Sequence, residues 1–190
     1  MKREKQFLKK TKTKAAVLFF VLLITGALFF SACDLYGLVG GTEANIPGSL
    51  PFLLRGKWAY TQPGNSVPAE LYTITGATIE YGYGGGSSVY DFSGTVEFVS
   101  NYSAGSGVII VKYDPAKKPR YPLYNNGSFG AVYYRNLRAD AVQLANAINL
   151  SDMSAPDTAA LDEAVEKFTR TAMGAYVNWG NVQPQRRIGE

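Results

Sequence analysis

The side chains that could do chemistry are few, and they exclude more than they offer. The chain has one cysteine, Cys33, and no histidine. Without histidine there is no Ser-His-Asp triad, no Cys-His pair and no imidazole metal site. Gly82, Gly84, Gly85 and Gly86 do not make G-x-G-x-x-G, and neither G-x-S-x-G nor a P-loop occurs. Glu70, Glu80, Asp91 and Glu97 could in principle pair for glycoside hydrolysis. They fall at polar strand positions, where solvated surface is the simpler reading. Lys117, Lys118 and Arg120, with Tyr121 and Tyr124, make a basic, aromatic loop. It could meet an anionic sugar, a lipid headgroup or a protein, or be a solvated loop. No enzymatic reaction, metal or cofactor is expected.

The element that positions Cys33 is the stretch before it. Residues 15–32 carry no charge, and Lys2, Arg3, Lys5, Lys9, Lys10, Lys12 and Lys14 precede them against Glu4. Eighteen helical residues would span roughly 27 Å, just short of a bilayer core of about 30 Å. A cationic lead, an apolar run and small residues at its end form the export-signal pattern. The positive flank stays cytoplasmic, so the chain after it is translocated.

Phe30-Ser31-Ala32-Cys33 resembles a bacterial lipobox. Ser31 and Ala32 match, while Phe30 departs from the usual Leu, Val or Ile. The resemblance implies lipidation of Cys33, removal of the signal just before it, and an N-terminus carrying acyl chains such as palmitate. The alternative is an uncleaved signal anchor with Cys33 an incidental thiol. Either way the chain is exported and tethered to the cell membrane or outer membrane. Two or more acyl chains anchor stably, at about 0.8 kcal/mol per buried methylene.

The formal charge of +4 belongs to the signal. From Cys33 onward there are 12 Lys/Arg against 14 Asp/Glu, a net of −2, so nucleic acid is not an expected partner. With no cysteine left for a disulfide, the exported part must be held by its core. The expected organisation is a signal over 1–32, a lipid-anchored tether over 33–50 rich in glycine, a domain over 51–182 and a tail over 183–190.

All thirteen tyrosines follow Cys33, and with Val, Ile, Thr and Phe they suit pleated surfaces. Strands are expected over 55–61, 71–75, 78–83, 89–99, 108–113 and 129–136. The clearest alternation puts Tyr90, Phe92, Val96 and Phe98 on one face of 89–99, with Gly94 marking a bend or bulge. Residues 139–148 fit a strand or a helix, and the strand is preferred because its predecessor needs a partner. A helix is expected from Leu161 to Ala172, with Ser154, Pro156 and Asp157 at its start and Gly174 after it. A short closing strand is expected over 175–179. Sequential hairpins with one late helix give a mainly β chain, a small antiparallel up-and-down barrel. Its long loops, 62–69, 84–88 and 114–127, would share one end.

Gly56-Lys57-Trp58 is similar to the Gly-x-Trp motif that opens lipocalin and related calycin barrels. The resemblance implies that Trp58 plugs the closed end, with Arg135 or Arg138 covering it as a cation–π partner. The expected helix precedes the last strand, whereas a lipocalin puts it after. Trp58 could equally be an ordinary core aromatic of another β fold. An eight-stranded barrel holds one small ligand or is filled by side chains. Tyr72, Ile74, Tyr90, Phe92, Val96, Phe98, Ile110 and Tyr133 would line a cavity suited to an apolar or amphipathic ligand, or pack a core. The sequence thus leaves two functions open. One is a membrane-anchored, ligand-binding barrel. The other is a structural or interaction lipoprotein with a filled barrel and protein- or glycan-binding loops.

Overall fold

A computed structural model describes residues 47–84, 91–117 and 127–189. Cys33, the signal and the tether as far as residue 46 lie outside these residues, as do Tyr90, Lys118, Arg120, Tyr121 and Tyr124. Eight strands form a closed antiparallel barrel in sequence order: β1 (Gly56–Tyr60), β2 (Glu70–Ile74), β3 (Thr78–Tyr83), β4 (Phe92–Ser103), β5 (Ser106–Tyr113), β6 (Phe129–Arg135), β7 (Ala141–Asn146) and β8 (Gln185–Arg187). The preferred reading of 139–148 therefore holds, because β7 pairs with β6 from Val132↔Asn146 to Arg135↔Gln143.

Alternation divides the strands into two apolar layers. The inner layer includes Trp58, Tyr72, Ile74, Ile79, Phe92, Val99, Ile109, Val111, Val132, Tyr134, Val142 and Leu144. The second layer lies outside β5, β6 and β7, where Val108, Ile110, Ala131, Tyr133 and Ala145 are covered by the segment between β7 and β8. That segment carries two short helices, α1 (Leu161–Lys167) and α2 (Met173–Tyr176).

Both helices correct the sequence reading. α1 starts after Ala160, which makes no side-chain cap, and ends where Phe168 turns out of helical geometry. Phe168 is fully buried, with its ring 5.3 Å from that of Tyr176, so packing on the barrel ends the helix before Ala172. Ser154, Pro156 and Asp157 do not cap it. Asp157 accepts the Gly127 N–H, and Thr158 bridges Phe129 in an antiparallel pair. The expected strand over 175–179 does not form: its first two residues end α2, and the rest pair in no strand.

The closing strand lies instead at Gln185–Arg187, inside the expected tail. It is short, pairing Trp58↔Arg187 and Ala59↔Arg186 on one side and Ala141↔Arg186 and Val142↔Gln185 on the other. At the other terminus the expected tether ends early. Gly48 donates its N–H to the Val99 carbonyl at 2.7 Å, and Leu50 joins the inner core. The last few residues of 33–50 are thus part of the barrel. Residues Glu43–Glu190 form one compact unit.

The ends of the barrel differ. Tight turns join β2 to β3, β4 to β5 and β6 to β7 at one end. The Thr75 hydroxyl holds the first by accepting the Thr78 N–H at 2.8 Å. The connections 61–69, 84–91, 114–128 and 147–184 leave from the other end, which is the open one.

Candidate functional site

The floor of the barrel is built on Trp58. Its indole N–H donates to the Leu54 carbonyl at 2.8 Å, and both side chains are fully buried. Leu54 comes from a one-turn 3-10 helix, Phe52–Leu54, that folds under the barrel. The Arg187 guanidinium covers the Trp58 ring at 4.4 Å from its centroid. It donates to the carbonyls of Ala139 and Arg55 at 2.8 Å, and to that of Leu53. Gly56 has a φ of 131°, and a Cβ there would lie 2.5 Å from the Arg187 guanidinium. The glycine before Trp58 is therefore required twice, by its backbone and by the arginine.

The arginine expected over Trp58 came from the wrong strand. Arg135 lies on the outward phase of β6, alternating with inward Val132 and Tyr134. Its guanidinium stacks on Trp179 at 4.4 Å, and its Nε donates to Gln143 at 2.9 Å. Arg138 is exposed in the β6–β7 turn.

Above the floor, inward rings on four consecutive strands, β2 to β5, lie in contact along the wall. Tyr72 and Tyr81 lie 4.6 Å apart by centroid, Tyr81 and Phe92 5.6 Å, and Phe92 and Tyr113 5.5 Å. The Tyr113 hydroxyl occupies the space a side chain at position 130 would take, so Gly130, diagonal to it on β6, lets the ring lie inside. The Tyr72 hydroxyl donates to Asn146 at 3.2 Å. Gln185, buried on β8, accepts the Leu144 N–H at 2.8 Å and donates to Glu70 at 2.8 Å. Burial pushes the Tyr72, Tyr81 and Tyr113 hydroxyls far above the ordinary phenol range, so all three stay neutral. Burial also raises the Glu70 carboxyl, against a smaller lowering by the Gln185 hydrogen bond.

Tyr72, Ile74, Phe92 and Val96 thus face inward as expected. Phe98, Ile110 and Tyr133 do not. Pairing shifts register between Val96 and Phe98, which leaves Glu97 as a bulge, and the side chains from Phe98 to Asn101 change face before a second shift between Asn101 and Ser103. Phe98 then opposes outward Ile110, with Tyr133 beside them under α1 and the chain after it. The Tyr133 hydroxyl donates to the Thr169 carbonyl at 3.4 Å. Glu70, read from the sequence as solvated surface, is instead half-buried and bonded to Gln185. Sequence reasoning missed Tyr81, Tyr113, Asn146 and Gln185, of which Tyr81 shares the parity of Ile79 and is accessible to a strict alternation argument.

Two grooves are described, and both lie outside the barrel. One, of about 340 Å³, runs between the β4–β5 and β6–β7 turns and is lined by Tyr102, Ser103, Arg135, Asn136, Arg170 and Met173 among others. The other, of about 490 Å³, lies over β3, β4 and β5, with Glu80, Glu97, Lys112 and Asp114 on its walls. Of the basic loop, Lys117 alone is described. It is exposed, and its backbone carbonyl accepts the Ser93 N–H at 3.1 Å, which folds the start of the loop onto β4. Among the described residues no group of three or more His, Cys, Asp or Glu could hold a metal ion. No family model, curated protein or solved structure matches this chain.

Proposed function

We propose that this chain is a lipoprotein of the cell envelope, anchored through Cys33, whose lipocalin-like barrel is filled by its own side chains and serves as an interaction module. It would bind a protein or glycan through its open-end loops and would carry no catalytic activity. The observation that carries this reading is the closure of the interior above Trp58: inward Tyr72, Ile74, Ile79 and Phe92 are at most 2 % exposed, and the Tyr72 hydroxyl on β2 reaches Asn146 on β7. Inward side chains with almost no accessible surface leave little room for a buried ligand among them. The lipocalin-like character is supported by Gly56 and by Arg187 over Trp58, which match what the Gly-x-Trp resemblance implied of a late arginine.

A second reading, a small amphipathic ligand at the mouth, draws on half-buried Tyr60, Glu70, Tyr81, Tyr113 and Asn146 there. One preparation separates the two. The full chain is expressed in a bacterium, extracted from its membranes and weighed, denatured and native. The expected denatured mass is that of a chain starting at Cys33 plus acyl groups, and the native mass should match it. An unmodified Cys33 would remove the lipoprotein reading. A reproducible extra mass lost on unfolding would replace the filled barrel with the ligand-binding one.

A further inference from the structure

The closed end carries a surface that the filled barrel does not explain. Phe52 is 80 % exposed, Leu53 46 % and Ile188 38 %. They are not scattered. Arg187 donates to the Leu53 carbonyl, and the Ile188 N–H donates to the Lys57 carbonyl at 3.0 Å, so the 3-10 turn, the start of β1 and the end of β8 meet at one place. The Arg55 guanidinium lies 5.8 Å from the Phe52 ring and beside Gly76 in the β2–β3 turn. Arg55, Lys57, Arg138 and Arg186 are all exposed on this end. Among the described residues of the same segments Asp140 is the one carboxylate, and it pairs with Arg186 at 3.0 Å. A barrel whose chain from Cys33 onward is net negative thus concentrates positive charge at one end, around exposed apolar side chains.

We infer that this closed end is a docking face for an anionic phospholipid bilayer, the surface to which the chain is itself tethered. The chemistry fits: apolar side chains enter the headgroup boundary, while flanking cations meet anionic headgroups. The chain path fits as well. It enters the barrel at this end, with Gly48 bonded to Val99 and the Ser49 carbonyl accepting from Asn101 at 3.0 Å. Thirteen residues, 34–46, separate Cys33 from Pro47, so the barrel stays within about 50 Å of its anchor. Docked this way, the barrel turns its open-end loops outward. The inference rests on the proposed tether for its direction, and its test does not need the lipid.

The compact unit 43–190 lacks Cys33, so its binding to vesicles reports the face alone. Flotation with phosphatidylcholine vesicles, with and without phosphatidylglycerol, should show binding to the anionic vesicles only, weakening steeply with salt. Replacing Arg55, Lys57 and Arg138 by Gln should weaken it roughly a hundredfold, at about fivefold per cation. F52S/L53S/I188S should weaken it about tenfold or more. Val67 and Tyr83 are exposed at the open end, and V67S/Y83S should change nothing. Far-UV circular dichroism checks each fold, and F52S alone serves if the triple variant unfolds. Three outcomes would overturn the inference: no binding to anionic vesicles, binding indifferent to the closed-end changes, or binding lost with V67S/Y83S. None of them bears on whether Cys33 is lipidated.

Discussion

Arg187 and Trp58 come from the last and first strands, pair across the seam that closes the barrel, and stack with the guanidinium 4.4 Å from the indole centroid. β8 is three residues long, so little backbone pairing holds the seam. Side chains supply the rest. Arg187 donates to three carbonyls in two segments, the lead-in to β1 and the β6–β7 turn, and Gln185 ties β7 to Glu70 on β2.

Arg187→Ala should therefore lower stability by about 2 kcal/mol, from the lost cation–π contact and the carbonyls left without a donor. Arg187→Lys should recover less than half, since an ammonium cannot fork to three carbonyls. Urea denaturation measures both. Equal midpoints for Arg187→Ala and the parent would mean that the backbone pairs alone close the barrel.

The ring line offers a second test. Phe92 touches Tyr81 and Tyr113 and is 2 % exposed, so Phe92→Ala should remove about 3–4 kcal/mol and leave a cavity. Phe98, on the outer face and half-buried, should lose about 1–2 kcal/mol on the same change. If the two losses were equal, Phe98 would have to be inside and the bulge at Glu97 absent.

These residues also show what the sequence made legible. Seven strands could be read because each carries Tyr, Val, Ile or Phe at strand spacing, as in 89–99. Facing was harder. Apolar residues fill both faces of β5 and β6, one against the ring line and one under the helices, so alternation gives no phase there. In β4 the phase was legible up to Val96, and one extra residue reversed it. β8 was invisible because Gln-Arg-Arg looks like a solvated tail. Its inward residues are polar, satisfied by Glu70, Leu144 and carbonyls that only the closed barrel brings near. The Gly-x-Trp motif pointed to a covering arginine but not to which strand supplied it.

Gly94 was expected at a bend or bulge, but the bulge lies three residues on. A Cβ at 94 would come 2.4 Å from the Lys112 carbonyl oxygen and 2.6 Å from Val111, so β5 would have to move away. Gly94→Ala should lower stability by about 2–3 kcal/mol. Gly174 in α2 meets nothing within 4 Å, so Gly174→Ala should be neutral or stabilising by up to about 1 kcal/mol. Thermal midpoints compare them, and a harmless Gly94→Ala would show that β4 and β5 are not so closely spaced.

The last prediction concerns pH. Glu70 is partly buried, and burial outweighs its Gln185 hydrogen bond, so its folded pKa lies above the ordinary value of 4.5. Between those two values the folded barrel keeps a proton that the unfolded chain has released. Stability from this group therefore falls as pH rises through the window, and stays lowered above the folded value. Glu70→Gln keeps an oxygen for Gln185 to donate to but cannot ionise. Its advantage over the parent should be smallest below 4.5, grow as pH rises through the window, and level off above the folded value. The difference between the two curves is the readout, because Asp152 acts oppositely, held below its ordinary value by hydrogen bonds from Ser154. Urea midpoints taken across this range would give the difference directly. Parallel curves would mean that Glu70 ionises in the barrel as freely as in the unfolded chain, and that its contact with Gln185 compensates fully for burial.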